Sequence, residues 1–105
     1  MRKLLTLAVL IAAVFAIPAM AAGTKTSSLK DDYFTKSKLT ITKGTTVKWT
    51  WKTGDKHTVT ELSGKWGSKG ETRKGTFTHK FAKKGKFTVY CLVHPVEMRQ
   101  RIVVK

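Results

Sequence analysis

Leu39-Thr40-Ile41-Thr42-Lys43-Gly44-Thr45-Thr46-Val47-Lys48-Trp49-Thr50-Trp51 is the stretch that decides the fold. Leu39 and Ile41 alternate with threonine; Val47, Trp49 and Trp51 fall on one face, and Thr46, Lys48 and Thr50 on the other. Period-two alternation of β-branched and aromatic residues marks half-buried strands, and Lys43-Gly44-Thr45 between them reads as a turn. The same pattern continues outward. Gly54-Asp55 reads as the next turn, and His57-Thr58-Val59-Thr60 as the start of a further strand. Phe77, His79 and Phe81 alternate, Lys83-Lys84-Gly85 turns into Phe87-Thr88-Val89-Tyr90-Cys91, and Ile102-Val103-Val104 closes the chain. Leu62 to Gly75, rich in glycine, reads as a long loop. Nothing after residue 21 has sustained helical periodicity, so the pattern predicts an all-β chain, an antiparallel sandwich or barrel.

The N-terminus reads as an export signal. Arg2 and Lys3 are followed by an apolar run from Leu4 to Ile17 broken only by Thr6, then Pro18 and the small-x-small site Ala19-Met20-Ala21. The run is short for a membrane span, so residues 1–21 are expected to be cleaved, with Ala22 as the alternative cleavage point. Residues 22–105 then form one small domain, exported to a periplasm, cell envelope or extracellular space.

A domain of this size buries a modest core, and small exported domains often rely on disulfides or a metal. Cys91 is the only cysteine, which excludes an internal disulfide and makes metal ligation the economical use of an exported thiol. A buried, inert cysteine is the plainer alternative. Charge is the second constraint. Without Arg2 and Lys3, the 21 basic residues fall to 19 against 6 acidic ones, a formal +13. The lysines are spread along the chain, a field that favours acidic protein partners, an anionic membrane surface or a cell-wall polymer, and a monomer.

The chemistry concentrates at the C-terminal end, in Cys91-Leu92-Val93-His94-Pro95-Val96-Glu97-Met98. A thiol, an imidazole and a thioether lie between two strand-like segments, so one loop can supply three ligands. A second imidazole must come from elsewhere: His57, beside a turn, is preferred, and His79, mid-strand between Phe77 and Phe81, is the other candidate. Thiolate, two imidazoles and a weak thioether are the ligand types of a blue-copper electron-transfer site.

These segments resemble the cupredoxin family, its plastocyanin and amicyanin branch in particular, over essentially the whole mature chain. Leu39 to Trp51 is similar to the family's early strands, Gly54-Asp55-Lys56-His57-Thr58-Val59 to its upstream histidine segment, and Phe81 to Cys91 to the approach to its copper cysteine. The resemblance implies an eight-stranded Greek-key β-sandwich and one copper ion held by His57, Cys91, His94 and Met98. It also implies a one-electron carrier rather than an enzyme. Three residues, Pro95, Val96 and Glu97, separate His94 from Met98, a spacing between the two of amicyanins and the four of plastocyanins. Thr58 stands where the family often has an asparagine that ties the two ligand segments together. Val93, Pro95 and Val96 would form the apolar electron-transfer surface around His94, with lysines steering an acidic redox partner.

Rival readings are a copper-buffering module without electron shuttling, a Cys-His nucleophile and a basic envelope-polymer binder. The nucleophile lacks an evident third group to orient its base. Specific nucleic-acid binding is not expected, because Trp49 and Trp51 lie on an apolar face and only Trp66 falls in loop-like sequence.

Overall fold

The computed structural model describes residues 23–105; the export signal and its cleavage site lie outside the described residues. Eight strands follow one another without a helix among the described residues: β1 (Thr24–Lys30), β2 (Tyr33–Phe34), β3 (Lys38–Ile41), β4 (Thr46–His57), β5 (Thr60–Glu61), β6 (Thr72–Lys80), β7 (Gly85–Tyr90) and β8 (Arg99–Val104). They form two four-stranded sheets, ordered β2-β1-β4-β6 and β3-β8-β7-β5. The apolar positions of the sequence alternation face inward: Val47, Trp49 and Trp51 of β4 pack toward Leu39 and Ile41 of β3, Val89 of β7 and Ile102 and Val104 of β8 in one buried core. The β-sandwich read from the sequence is the architecture observed.

Its sheets are mixed rather than antiparallel. β1 runs parallel to β4, pairing Thr24 with Thr46 through Leu29 with Trp51, and β3 runs parallel to β8. Period-two alternation reports which face of a strand is buried and carries no information on its neighbour's direction. The glycine-rich stretch also departs from expectation, because Thr72–Gly75 belongs to β6, the edge strand paired with β4. Exposed charges and a glycine hide the strand in the sequence. An edge strand keeps polar side chains outward, and Gly75 answers a packing need. It pairs with Trp51, whose indole lies across it and donates Nε1–H to the Thr72 carbonyl at 2.9 Å. A Cβ on Gly75 would come within 2.7 Å of Trp51 Cε2. Gly75→Ala is therefore expected to destabilise the fold by about 1–3 kcal/mol through overpacking. A chemical denaturation midpoint equal to the parent's would show that the ring is free to move aside.

One polar network crosses the core. Trp49 Nε1–H donates to Gln100 Oε1 at 2.8 Å, while Gln100 Nε2 donates to Ser27 Oγ and the Lys36 carbonyl, each at 2.9 Å. Gln100 belongs to one sheet and Trp49 and Ser27 to the other, so these bonds fix how the sheets sit on one another. With its amide satisfied on both sides, Gln100 can be buried at little cost.

Candidate metal centre

His57 does not begin a strand, as its sequence context suggests; it ends β4. The strand continues through Gly54-Asp55 as an irregularity, with Lys52 opposite Lys74 and His57 opposite Thr72, so β4 carries extra residues against β6. Such a bulge bends the strand and re-aims the side chain beyond it. The chain then crosses to the other sheet at β5, leaving His57 wholly buried at one end of the sandwich. Cys91 follows β7 directly, and Met98 directly precedes β8. Between them the loop is closed by its own backbone: Cys91 N–H donates to the Met98 carbonyl at 3.1 Å, and Met98 N–H to the His94 carbonyl at 3.0 Å. The three-residue spacing from His94 thus brings Met98 back onto the loop, where its side chain is fully buried.

These elements bring His57, Cys91 and His94 together, with one donor atom from each within 4.8 Å of the others. Cys91 Sγ lies 3.8 Å from His57 Nδ1, and the two imidazole centroids are 5.4 Å apart. The separation suits a shared ion. Metal distances of about 2.0 Å to nitrogen and about 2.3 Å to sulfur, as zinc takes, put the two donors roughly 3.7 Å apart at a trigonal angle. His94 Nδ1 supplies an independent test: it is buried and has no hydrogen-bond partner. A buried polar atom without a partner is costly, and a coordinated ion would satisfy it.

The surrounding bonds hold the donors in place. Thr58 joins the two ligand segments: its hydroxyl accepts from Leu92 N–H at 2.9 Å, and its own N–H points to Cys91 Sγ at 3.4 Å. The other face of each imidazole meets a carboxylate. His57 Nε2 lies 3.2 Å from Asp31 Oδ1, and His94 Nε2 3.0 Å from Asp32 Oδ1. Asp31 also accepts from the backbone N–H groups of Gly54 (3.0 Å) and Asp55 (2.9 Å), bracing the bulge that delivers His57. The Asp55 and Gly54 N–H groups, followed by the His57 contact, lower the Asp31 pKa from 3.8 to about 2.

No protein-family model matches the chain, and no curated protein matches it. Solved structures do. A purple cupredoxin from Nitrosopumilus maritimus superposes with a TM-score of 0.66 at 22% identity, covering 77% of this chain and 99% of that one. A reduced Cu(I) form of an amicyanin variant gives 0.63 at 22% identity, over 84% and 88%. The chain has the cupredoxin fold. A chain of a heme-copper terminal oxidase dimer shares it, with a TM-score of 0.58 at 21% identity over 77% of this chain and 65% of that one.

Within the cupredoxin fold, the two candidates for the second imidazole lie in different surroundings. His57 is in the cluster. His79, on β6, pairs with Val47 of β4 and stacks face to face on Trp66 at 3.7 Å, with an interplanar angle of 9°. Burial there pushes its pKa below the usual imidazole value. Trp66 packs against the core along with Phe77 and Phe87. Val93, Pro95 and Val96 are exposed beside His94, Val96 at 75%. Asp31 and Asp32 escape the sequence reading because they lie far upstream, in what looks like ordinary hairpin punctuation. A usable signal was present: they are adjacent acids in a chain with only six.

Proposed function

We propose that the mature chain is an exported copper protein that carries one electron at a time, with His57, Cys91, His94 and Met98 as the ligands. The observation that carries this reading is the buried thiol–imidazole cluster with His94 Nδ1 left unpartnered. Its donor softness favours copper among the first-row ions. Bound copper would supply the Cu(II)/Cu(I) couple; the protein's own residues do the rest. Cys91 gives the charged soft donor, and the Thr58 N–H aimed at its sulfur helps hold that charge. The closed 91–98 loop and the Thr58 bridge keep the donors nearly fixed, so little rearrangement accompanies a change of oxidation state.

His94 is the donor nearest solvent, its side chain 21% exposed, and its ring is the route between the buried site and a partner. Exposed Leu92, Val93, Pro95 and Val96 exclude water around that ring on contact. The partner is a redox protein with an acidic surface, attracted by the +13 field. Surface attraction to an anionic membrane or cell-wall polymer follows from the same field. Buried Trp49 and Trp51 and the stacked Trp66 offer little aromatic platform for a polymer.

The test is an optical spectrum of the purified mature chain with one equivalent of Cu(II), before and after ascorbate. An intense visible band that bleaches on reduction and returns on reoxidation is expected. A colourless protein, or one with only a weak band, would remove the electron-carrier reading.

A further inference from the structure

The turn between β1 and β2 has no part in the ligand set, yet both of its residues reach it. Asp31 and Asp32 are adjacent, and each meets the Nε2 edge of a different imidazole, at 3.2 and 3.0 Å. The backbone is bent to allow this. Asp32 has φ 74°, a left-handed conformation that non-glycine residues adopt rarely. Three of the chain's six acidic residues, Asp31, Asp32 and Asp55, gather here on an otherwise basic molecule.

We propose that Asp31 and Asp32 are positioning residues, a two-carboxylate clamp that holds His57 and His94 as Nε2–H tautomers with both Nδ1 lone pairs turned to the metal. The chemistry is direct. An ionised carboxylate only accepts, so the nitrogen facing it must carry the hydrogen, and in a neutral ring the other nitrogen is then the free donor. That other nitrogen is the atom 3.8 Å from Cys91 Sγ in His57 and the buried, unpartnered atom in His94. The two negative charges also favour the more highly charged oxidised ion and lower its potential relative to a site without them. The clamp's purpose rests on the metal-centre reading.

Asp32→Gly is the informative variant, because glycine is at ease at this φ and removes the carboxylate without disturbing the turn. Asp32→Asn, also tolerated there, keeps an acceptor and removes the charge. Long-range proton–nitrogen NMR of the metal-free chain, well above imidazole titration, reads each ring's tautomer. The parent should show Nε2–H for His57 and His94; Asp32→Gly should turn His94 into a tautomer mixture and leave His57 and His79 unchanged. In loaded protein, Zn(II) affinity should fall roughly 10–100-fold in Asp32→Gly. The copper couple should move to higher potential in both variants. A parent His94 in the Nδ1–H form, or a tautomer and Zn(II) affinity indifferent to Asp32→Gly, would overturn the clamp. If the tautomers behave as expected while Cu(II) gives no visible band, the clamp stands and the electron-carrier reading falls. If the band forms while the His94 tautomer ignores Asp32→Gly, the reverse holds.

Discussion

Cys91→Ser is expected to abolish the intense visible band of the Cu(II)-loaded protein while leaving the fold intact. The band requires charge transfer from a soft sulfur donor, and a serine hydroxyl is neither soft nor ionised near neutral pH. Cys91 is fully buried, and its sulfur meets the Thr58 N–H at 3.4 Å and His57 Nδ1 at 3.8 Å. Serine is close in shape and can accept the same N–H, so the bond from Cys91 N–H to the Met98 carbonyl and the strands on either side should persist. Copper affinity should fall by more than the roughly 10–100-fold typical of losing a residue behind a ligand. The checks are titration with Cu(II) followed optically and circular dichroism of the metal-free variant. A band surviving in a folded Cys91→Ser protein would remove Cys91 from the ligand set.

The largest effect on stability is expected at Trp49. Its indole is fully buried and packs with Phe77, Phe81 and Trp66 at centroid distances of 5.8, 6.4 and 6.1 Å. Trp49→Ala removes that ring from the centre of the sandwich, a change that costs about 3–5 kcal/mol in well-packed cores. It also strips Gln100 Oε1 of its donor, and an unsatisfied buried amide adds about 1–3 kcal/mol unless water enters the space. Small domains commonly have only about 5–15 kcal/mol in all, so the variant should sit close to unfolding at room temperature. Trp49→Phe is expected to fall between the two proteins, since it keeps one aromatic ring but loses the N–H and part of the indole's volume. Urea denaturation of the metal-free proteins measures both, and a Trp49→Ala midpoint near the parent's would show that the core re-collapses around the gap.

Much of the site was legible because its donors are clustered in the chain. Cys91, His94 and Met98 occupy one short loop, and residue type alone says what such a group can bind. Choosing His57 over His79 was harder. Both lie in alternating threonine-rich sequence, and only the bulge in β4 carries His57 to the loop while His79 is left stacked on Trp66. Reading Gly54-Asp55 as a turn missed that bulge, because a Gly-Asp pair signals a break in regular geometry without saying whether the strand resumes. The pair of aspartates left only a faint trace, two adjacent acids in a chain with six, because Asp31 and Asp32 lie over 20 residues before His57 and meet the histidines only through space.

The amino-acid order by itself determined that residues 23–105 are all-β, which residues face the core, and that a thiol, an imidazole and a thioether share one loop. Each of these is local: alternation fixes a strand's buried face, and short loops keep their ligands close whatever surrounds them. The tertiary structure alone decided that β1 and β3 pair in parallel, that Gly75 makes room for Trp51, and that two aspartates stand behind the histidines. Those features depend on which distant segments become neighbours, and that is settled by packing two sheets around Trp49 and Gln100 rather than by any short-range pattern.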